Sequence, residues 1–269
     1  MKLTIGKHLR GLTGPILITG HTGFKGTWLT FLLERIGVPV VGLSLQPEQG
    51  SLFDRANRIG IIPEAFFDIR DVGAVTNFVL DFQPSAIIHM AAQPLVLESY
   101  KTPRETFETN VMGTVNILSA AFKSDSVKAV VVVTTDKVYQ NLNTGSRFKE
   151  SDPLLGADPY SASKVGAENV AIAWQHLSTN GVKSNISIVR SGNVIGGGDW
   201  ASDRLIPDLV RAFITKSKIV LRNPESTRPW QHVLDPLVGY LMAIEGVLGG
   251  EVIEALNFGP DSKSLSVKK

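Results

Sequence analysis

Tyr160 and Lys164 stand four apart in the run Tyr160-Ser161-Ala162-Ser163-Lys164. On a helix that spacing puts both on one face. A tyrosine ordinarily titrates near ~10, and a neighbouring ammonium favours its phenolate. Tyr160 therefore reads as a general base for an alcohol. Pro159, just before it, suits a helix start. Upstream, an apolar run closes in Thr134-Thr135-Asp136-Lys137, where a hydroxyl could share the substrate oxygen. A YxxxK spacing alone also occurs on surface helices, so the pair needs a companion site before it means chemistry.

That companion is a glycine loop, Gly20-His21-Thr22-Gly23-Phe24-Lys25-Gly26, with the spacing GxxGxxG. Gly20 would allow a sharp turn, Gly23 the close approach of a pyrophosphate, and Gly26 tight packing of helix on strand. The free N–H groups and positive dipole end of the following helix would face the phosphates. A dinucleotide site usually has an acid ending its second strand, to hold the ribose hydroxyls. Here that end reads Gly42-Leu43-Ser44-Leu45. Ser44 can hydrogen-bond a ribose but cannot discriminate by charge, so NAD and NADP both stay open. Asp68-Ile69 could accept from an adenine amino group, or Asp68 could simply cap a helix.

The elements that must position these groups follow from the apolar pattern. Residues 15–19 (PILIT), 40–45, 85–90, 127–134 and 185–190 read as strands. Helices are expected over 25–36, 104–122 and 159–177, the second carrying Phe107, Val111, Val115, Leu118 and Phe122 at helical spacing. The strands are continuously apolar, which means burial on both faces. Strand–helix–strand repetition then predicts an α/β fold, a Rossmann-like doubly wound parallel sheet. After Arg190 the texture changes to glycine- and proline-rich segments with one short strand at 219–221. The chain divides on this reading into a dinucleotide-binding domain over 1–190 and a smaller, mixed substrate lobe over 191–269. The ending SLSVKK carries no helix stop or closing strand, so the lobe is expected to be cut short.

The chain has 269 residues, 43% hydrophobic and 19% charged, which excludes a disordered or fibrous protein. A net charge of +2 is too weak to argue for nucleic acid. There is no cysteine, which excludes a thiolate nucleophile and any cysteine-based metal site. The five histidines (His8, His21, His89, His176, His232) show no ligand spacing, and no metal is expected. No run approaches the ~20 apolar residues of a membrane helix, and none resembles a signal-peptide core. A cytoplasmic protein with no membrane partner is expected.

The stretches GHTGFKGTWL, HMAAQPLVLESY, TNVMGTVNIL, VVVTTDKVYQN, DPYSASKVGAE, VRSGNVIGGGDWASDRLIPD and LRNPESTRPWQHVLDPLVGYL carry a resemblance. The chain resembles the extended short-chain dehydrogenase/reductases (the NAD-dependent epimerase/dehydratase family) and, among them, the nucleotide-sugar 4,6-dehydratases, in the branch acting on CDP-glucose. The resemblance implies tightly held NAD on Gly20, Gly23 and Gly26, with Asp68 beside the adenine and Ala91, Ala92 and Gln93 under the nicotinamide ribose. It implies Tyr160 and Lys164 as the catalytic pair and Thr135 as their hydroxyl partner. The implied reaction oxidises carbon 4 of the glucose, eliminates water across carbons 5 and 6, and returns the hydride to carbon 6. Elimination needs an acid and a base, for which Asp136 and Lys137 occupy the family positions. A lysine can be a base only when something such as burial lowers its pKa. Arg228 matches an arginine that clamps the pyrophosphate, as a planar guanidinium suits. Asn193 matches a contact to the nucleotide-sugar. Arg204, Arg222 and His232 are further candidate substrate contacts, and Trp200 and Trp230 could stack on a base or simply be buried. A homodimer or dimer of dimers and a place in deoxysugar and lipopolysaccharide biosynthesis are also implied.

Two other readings share the scaffold. A nucleotide-sugar 4-epimerase would keep the glycine loop, Tyr160 and Lys164 but needs no acid–base pair for elimination. A non-catalytic NAD-binding protein would follow if the short lobe left the substrate site open.

Overall fold

The computed structural model describes residues 6–179, 184–201, 204–218, 221, 223–251, 253–261 and 265–267. One helical turn, α1 (Lys7–Arg10), precedes strand β1 (Ile16–Thr19) and helix α2 (Phe24–Arg35). Strand β2 (Val40–Ser44), α3 (Leu52–Arg55), β3 (Glu64–Phe66), α4 (Val72–Phe82) and β4 (Ala86–His89) follow. Helices α5 (Val96–Lys101) and α6 (Pro103–Phe107), a π turn at Glu108–Met112 and α7 (Gly113–Lys123) lead to β5 (Ala129–Val133). A 3₁₀ turn at Asp136–Val138 and the long α8 (Pro159–Thr179) then reach β6 (Asn185–Ser191). The remainder holds β7 (Val194–Ile195), α9 (Leu205–Thr215), β8 (Thr227–Arg228), β9 (Gln231–His232), α10 (Leu234–Leu248), β10 (Ala255–Phe258) and β11 (Leu265–Ser266).

Seven strands form one parallel sheet in the order β10-β6-β5-β4-β1-β2-β3. The fold is the doubly wound α/β sheet that continuous apolar strands require. Side chains alternate between two cores. Ile16 and Ile18 of β1 join Leu29 and Leu33 of α2 and Leu237 and Ile244 of α10. Leu17 points the other way, to Val75 and Val79 of α4, Ile117 and Leu118 of α7, and Ala171 of α8. Each such aliphatic side chain contributes about 1.5–3 kcal/mol by leaving water. From β1 the strand order runs to β2 on one side and to β4 on the other. The crevice outside the carboxyl ends of β1 and β4 is the place where such sheets bind ligands.

Three expectations meet a more detailed outcome. The helix expected over 104–122 is interrupted by the π turn, which carries Asn110 inward. The segment expected as a separate lobe returns β10 to the edge of the main sheet beside β6 and packs α10 on one sheet face. The strand expected over 219–221 falls mostly on residues 219 and 220, outside the described residues. Among the described residues, no helix is long and apolar enough to cross a membrane.

Candidate active site

The glycine loop leaves β1 at the crevice. Gly20 has φ +77°, a left-handed conformation that favours glycine, and a Cβ there would stand 2.9 Å from the Ala91 amide nitrogen. A Cβ on Gly26 would come 2.1 Å from the Gly20 carbonyl oxygen, so α2 can only start this close to β1 with glycine. Gly23 begins α2 without a side-chain cap, leaving the first-turn amides for an anion. The Ala91 and Met90 amides donate to Thr19 Oγ1 at 3.1 and 3.0 Å, which holds the β4 end against the loop. Thr22 and Ser44 share a hydroxyl hydrogen bond of 2.7 Å at the β2 end. Asp68 receives the Arg70 amide at 2.8 Å and its guanidinium at 2.7 Å; Arg70 holds its carboxyl below the usual range, so it is an acceptor. Ile69 is buried, and the Asn116 side chain donates to its carbonyl. Tight glycines, free helix-start amides and a polar rim fit a dinucleotide.

His21 departs from the loop. Its ring turns inward between Phe53 and Phe66, and its Nε2 lies 2.8 Å from Glu64. A Cβ on Gly42 would strike that ring at 2.6 Å. Burial holds the imidazole neutral against the pull of Glu64. Of His21, the backbone alone remains on the ligand side.

Tyr160 is the second residue of α8, and its amide donates to Ser99 Oγ at 3.1 Å. One helical turn on, Lys164 Nζ donates to the Val133 carbonyl at the end of β5, 3.0 Å away. Both side chains are buried. Burial pushes Tyr160 up to about 12, while a hydrogen bond with Thr135 and the charge of Arg204 act the other way. Burial likewise pushes Lys164 down to about 8, against the nearby Glu168. The two titrate in the wrong order for the expected effect. The spacing puts the pair on one face, and burial works against the acidified phenol expected from it.

Thr135 caps the 3₁₀ turn, accepting the Lys137 amide at 3.3 Å and donating to Asp136 Oδ1 at 3.2 Å. Asp136 is half-buried as a residue, yet its carboxyl end is enclosed: a Cβ on Gly192 would meet Oδ2 at 2.9 Å. Burial raises its pKa despite the charges of Lys137, Arg228 and Lys25. Lys137 is exposed as a residue, and its Nζ lies 5.7 Å from the centre of the Tyr160 ring. Burial of that amine lowers its pKa, with Asp136 and Asp158 opposing. The turn thus holds a carboxyl biased toward its acid form next to an amine biased toward its base form.

Around it the substrate-side candidates divide. Arg228, on β8, acts on both Asp136 and Lys137 through its charge and donates to its neighbour's carbonyl at 2.8 Å. Arg204 bonds both oxygens of Asp199 at 3.1 and 3.0 Å, and its charge reaches Tyr160 and Lys137. The Asn193 carbonyl accepts the Gln231 amide at 3.2 Å, beside the β7–β9 pair. His232 is exposed; its Nδ1 accepts the Leu234 amide at 3.3 Å and its ring faces Trp28, so it serves the start of α10. Trp200 stacks under the Arg55 guanidinium at 5.6 Å, and Trp230 is half-buried. Arg222 lies outside the described residues.

Sequence reasoning missed three supporting groups. Asn110, turned in by the π turn, accepts the Gln93 amide and donates to the Gln93 carbonyl and to Ser163 Oγ. Ala92, half-buried, precedes that anchored glutamine. Behind it, His89 is fully enclosed. Thr19 Oγ1 already accepts two amides, so it donates to His89 Nδ1; Nε2–H then donates to Thr114, whose hydroxyl donates to the Asn110 carbonyl. Finally, Glu168 and Arg190 form a buried bidentate pair, at 2.9 and 2.6 Å. Thr134 donates to Glu168, and Arg190 donates to the Tyr139 hydroxyl at 2.7 Å. That pair grips the Asp136–Val138 turn from both sides, through Thr134 before it and Tyr139 after it.

Residues 16–259 match the NAD dependent epimerase/dehydratase family. The chain is 44% identical over 253 residues to the CDP-glucose 4,6-dehydratase of Salmonella typhimurium, covering 91% of this chain and 70% of that protein. It is 30% identical over 268 residues to a dTDP-glucose 4,6-dehydratase of Xanthomonas campestris pv. campestris, covering 94% and 73%. Among solved structures, a dTDP-glucose 4,6-dehydratase from Streptomyces venezuelae with NAD and TYD bound superposes with a TM-score of 0.82. It is 27% identical, over 94% of this chain and 78% of that one.

Proposed function

The chain belongs to the NAD dependent epimerase/dehydratase family, and from that premise we propose that it is a hydro-lyase converting CDP-glucose to the 4-keto-6-deoxy sugar. NAD would be held by the glycine loop with Ser44, Asp68 and the stretch Ala91–Ala92–Gln93, and would supply a hydride acceptor for carbon 4 and a hydride donor for carbon 6. Tyr160 receives the proton of the carbon 4 hydroxyl, with Thr135 hydrogen-bonded beside it. The ketone so formed acidifies the hydrogen on carbon 5. Lys137, as a neutral amine, removes that hydrogen as a proton. Asp136, as a neutral acid, protonates the carbon 6 hydroxyl, which leaves as water. The Lys137 proton then returns to carbon 5 as hydride adds at carbon 6. Arg228 holds the pyrophosphate, and Asn193 and Arg204 line the sugar side.

The observation that carries this reading is the Asp136–Lys137 turn. Burial pushes the two groups toward the neutral forms an elimination needs. A 4-epimerase has no use for that pair. The same reading includes a cytoplasmic place, a role in deoxysugar and lipopolysaccharide biosynthesis, and a homodimer or dimer of dimers packed through α6, α7 and α8, where Phe107 and Met112 are exposed. The test is incubation of the purified chain with CDP-glucose and the other nucleotide-glucoses, with mass spectrometry of the product. Loss of one water from CDP-glucose supports dehydration; an unchanged mass with altered stereochemistry at carbon 4 refutes it. Lys137→Ala should still form 4-keto-glucose and reduced cofactor but stall there. Normal product formation by that variant would remove Lys137 from the role of base.

A further inference from the structure

Lys25 is named by its loop but its side chain leaves it. Nζ donates to Ser191 Oγ at 2.6 Å and to the Tyr240 hydroxyl at 3.0 Å, and those two hydroxyls bond each other at 2.8 Å. Ser191 ends β6, and Tyr240 is fully buried on α10. The ammonium is thereby carried from the start of α2 across the carboxyl edge of the sheet. Its position is unfavourable on elementary grounds. It sits in the first turn of a helix, where the dipole repels cations. Its two hydrogen-bond partners in this clamp are neutral hydroxyls rather than a carboxylate. It also faces Lys164, whose proton it helps to repel. A cation held against such opposition by a closed triangle of hydrogen bonds marks a place where negative charge is needed.

One carboxyl on which the Lys25 charge acts is Asp136. Residue 192, directly after the clamp's Ser191, packs on the Asp136 carboxyl, where a Cβ would stand 2.9 Å from Oδ2. Proton bookkeeping in the proposed elimination leaves Asp136 as a carboxylate in that enclosed spot at the moment water departs. We propose that Lys25, clamped by Ser191 and Tyr240, is a positioning residue whose positive charge stabilises the Asp136 carboxylate formed as the carbon 6 hydroxyl leaves. This rests on the dehydratase reading. The covalent step is unchanged: the Asp136 O–H bond breaks, the carbon–oxygen bond at carbon 6 breaks, and water forms. Other charges face Asp136 as well. Lys137 lies on its own turn and Arg228 comes from β8, while Tyr160 of α8 is hydrogen-bonded to the shared Thr135. Lys137 changes protonation during turnover and Arg228 is committed to the pyrophosphate. Lys25 is the cation of the set that does neither.

The test compares the full-length protein with Lys25→Met, Lys25→Arg and Tyr240→Phe. Calorimetry should give NAD binding within about twofold of the parent for all three, since a neutral-hydroxyl clamp is not a phosphate contact. In single turnovers with CDP-glucose, Lys25→Met should still form reduced cofactor and then eliminate water roughly ten- to a hundredfold more slowly than the parent. Lys25→Arg should recover most of that loss, and Tyr240→Phe should fall between. Removing the cation favours the protonated carboxyl, so the alkaline limb of the elimination rate should move to higher pH in Lys25→Met. Infrared titration of the Asp136 carboxyl, isolated by subtraction of Asp136→Asn, should move the same way without any substrate. An unmoved carboxyl titration overturns the proposal, as does unimpaired elimination or a loss of NAD binding in Lys25→Met. If the parent makes no 4-keto-6-deoxy sugar, the dehydratase reading fails instead, and the infrared titration still decides whether Lys25 acts on Asp136.

Discussion

Replacing Tyr160 with Phe and following phenolate absorbance against pH tests the order of proton loss at the active site. In this structure burial pushes Tyr160 up to about 12 and Lys164 down to about 8. Ionising a phenol at pH 8 that titrates four units higher costs about 5 kcal/mol, and roughly one molecule in ten thousand carries the phenolate. A base that rare would cap turnover. A unit cation brought within about 5 Å at an effective dielectric near 20 returns ~3 kcal/mol, so two are needed. One is Lys164 held in its ammonium form; the other is the pyridinium charge of oxidised NAD. The assay is the near-ultraviolet difference spectrum of parent minus Tyr160→Phe, with and without NAD. The chain has four tyrosines, and the subtraction isolates one. Without NAD no Tyr160 phenolate should form below about pH 10; with NAD the midpoint should drop by about two units or more. A midpoint near 8 in the absence of NAD would refute the burial argument. No movement on adding NAD would refute the two-cation argument.

Glu168→Gln or Arg190→Met alone strands a buried charge and should cost about 3–5 kcal/mol, whereas the double replacement should cost far less than the sum. A denaturant double-mutant cycle checks this, and additive losses would mean that the pair is not coupled. His89 should make stability depend on acid pH. Burial depresses it to about 3 in the fold, against an unfolded value near ~6.5, so the unfolded chain binds the extra proton. Its contribution is complete above ~6.5 and is lost as pH falls toward 3, up to about 5 kcal/mol in all. Urea unfolding of the parent and His89→Asn between those limits should show a steeper loss in the parent; parallel curves would contradict the assignment.

The main sheet was legible because its signals are local. Four of the strands are short apolar runs buried on every residue, and a glycine at positive φ leaves its mark at Gly20 whatever the rest of the chain does. The loop and the Tyr160–Lys164 face could be placed for the same reason, whereas Asp136 and Lys137 drew their expected roles from the family resemblance. What could not be read was depth. Spacing puts Lys164 beside Tyr160 but says nothing of how far both sink from water, and that depth reverses the order in which they titrate. His21 looked like a loop residue, yet Gly42 on the neighbouring strand leaves a hole its ring fills. Asn110 looked like one more polar position on a helix until the π turn brought it inward.

The partnerships that support the site are all long-range. Thr19 and His89 lie 70 residues apart, Glu168 and Arg190 22, Lys25 and Ser191 166. No periodicity encodes such pairs, because each partner taken alone is an ordinary polar side chain on a strand end or helix. They acquire meaning only when the parallel sheet lines up its carboxyl ends. There Thr134, Arg190 and Ser191 stand at the ends of adjacent strands, and Lys164 bonds the Val133 carbonyl beside them. The generic dinucleotide fold supplies the edge; the buried polar contacts decide which groups stay charged on it. Of those charges Lys164 and Lys137 are both weakened by burial, and Lys25 is clamped by hydroxyls at an opposing helix end. An edge that gathers several cations around one enclosed carboxyl is suited to a reaction in which a buried acid must turn anionic and back within each turnover.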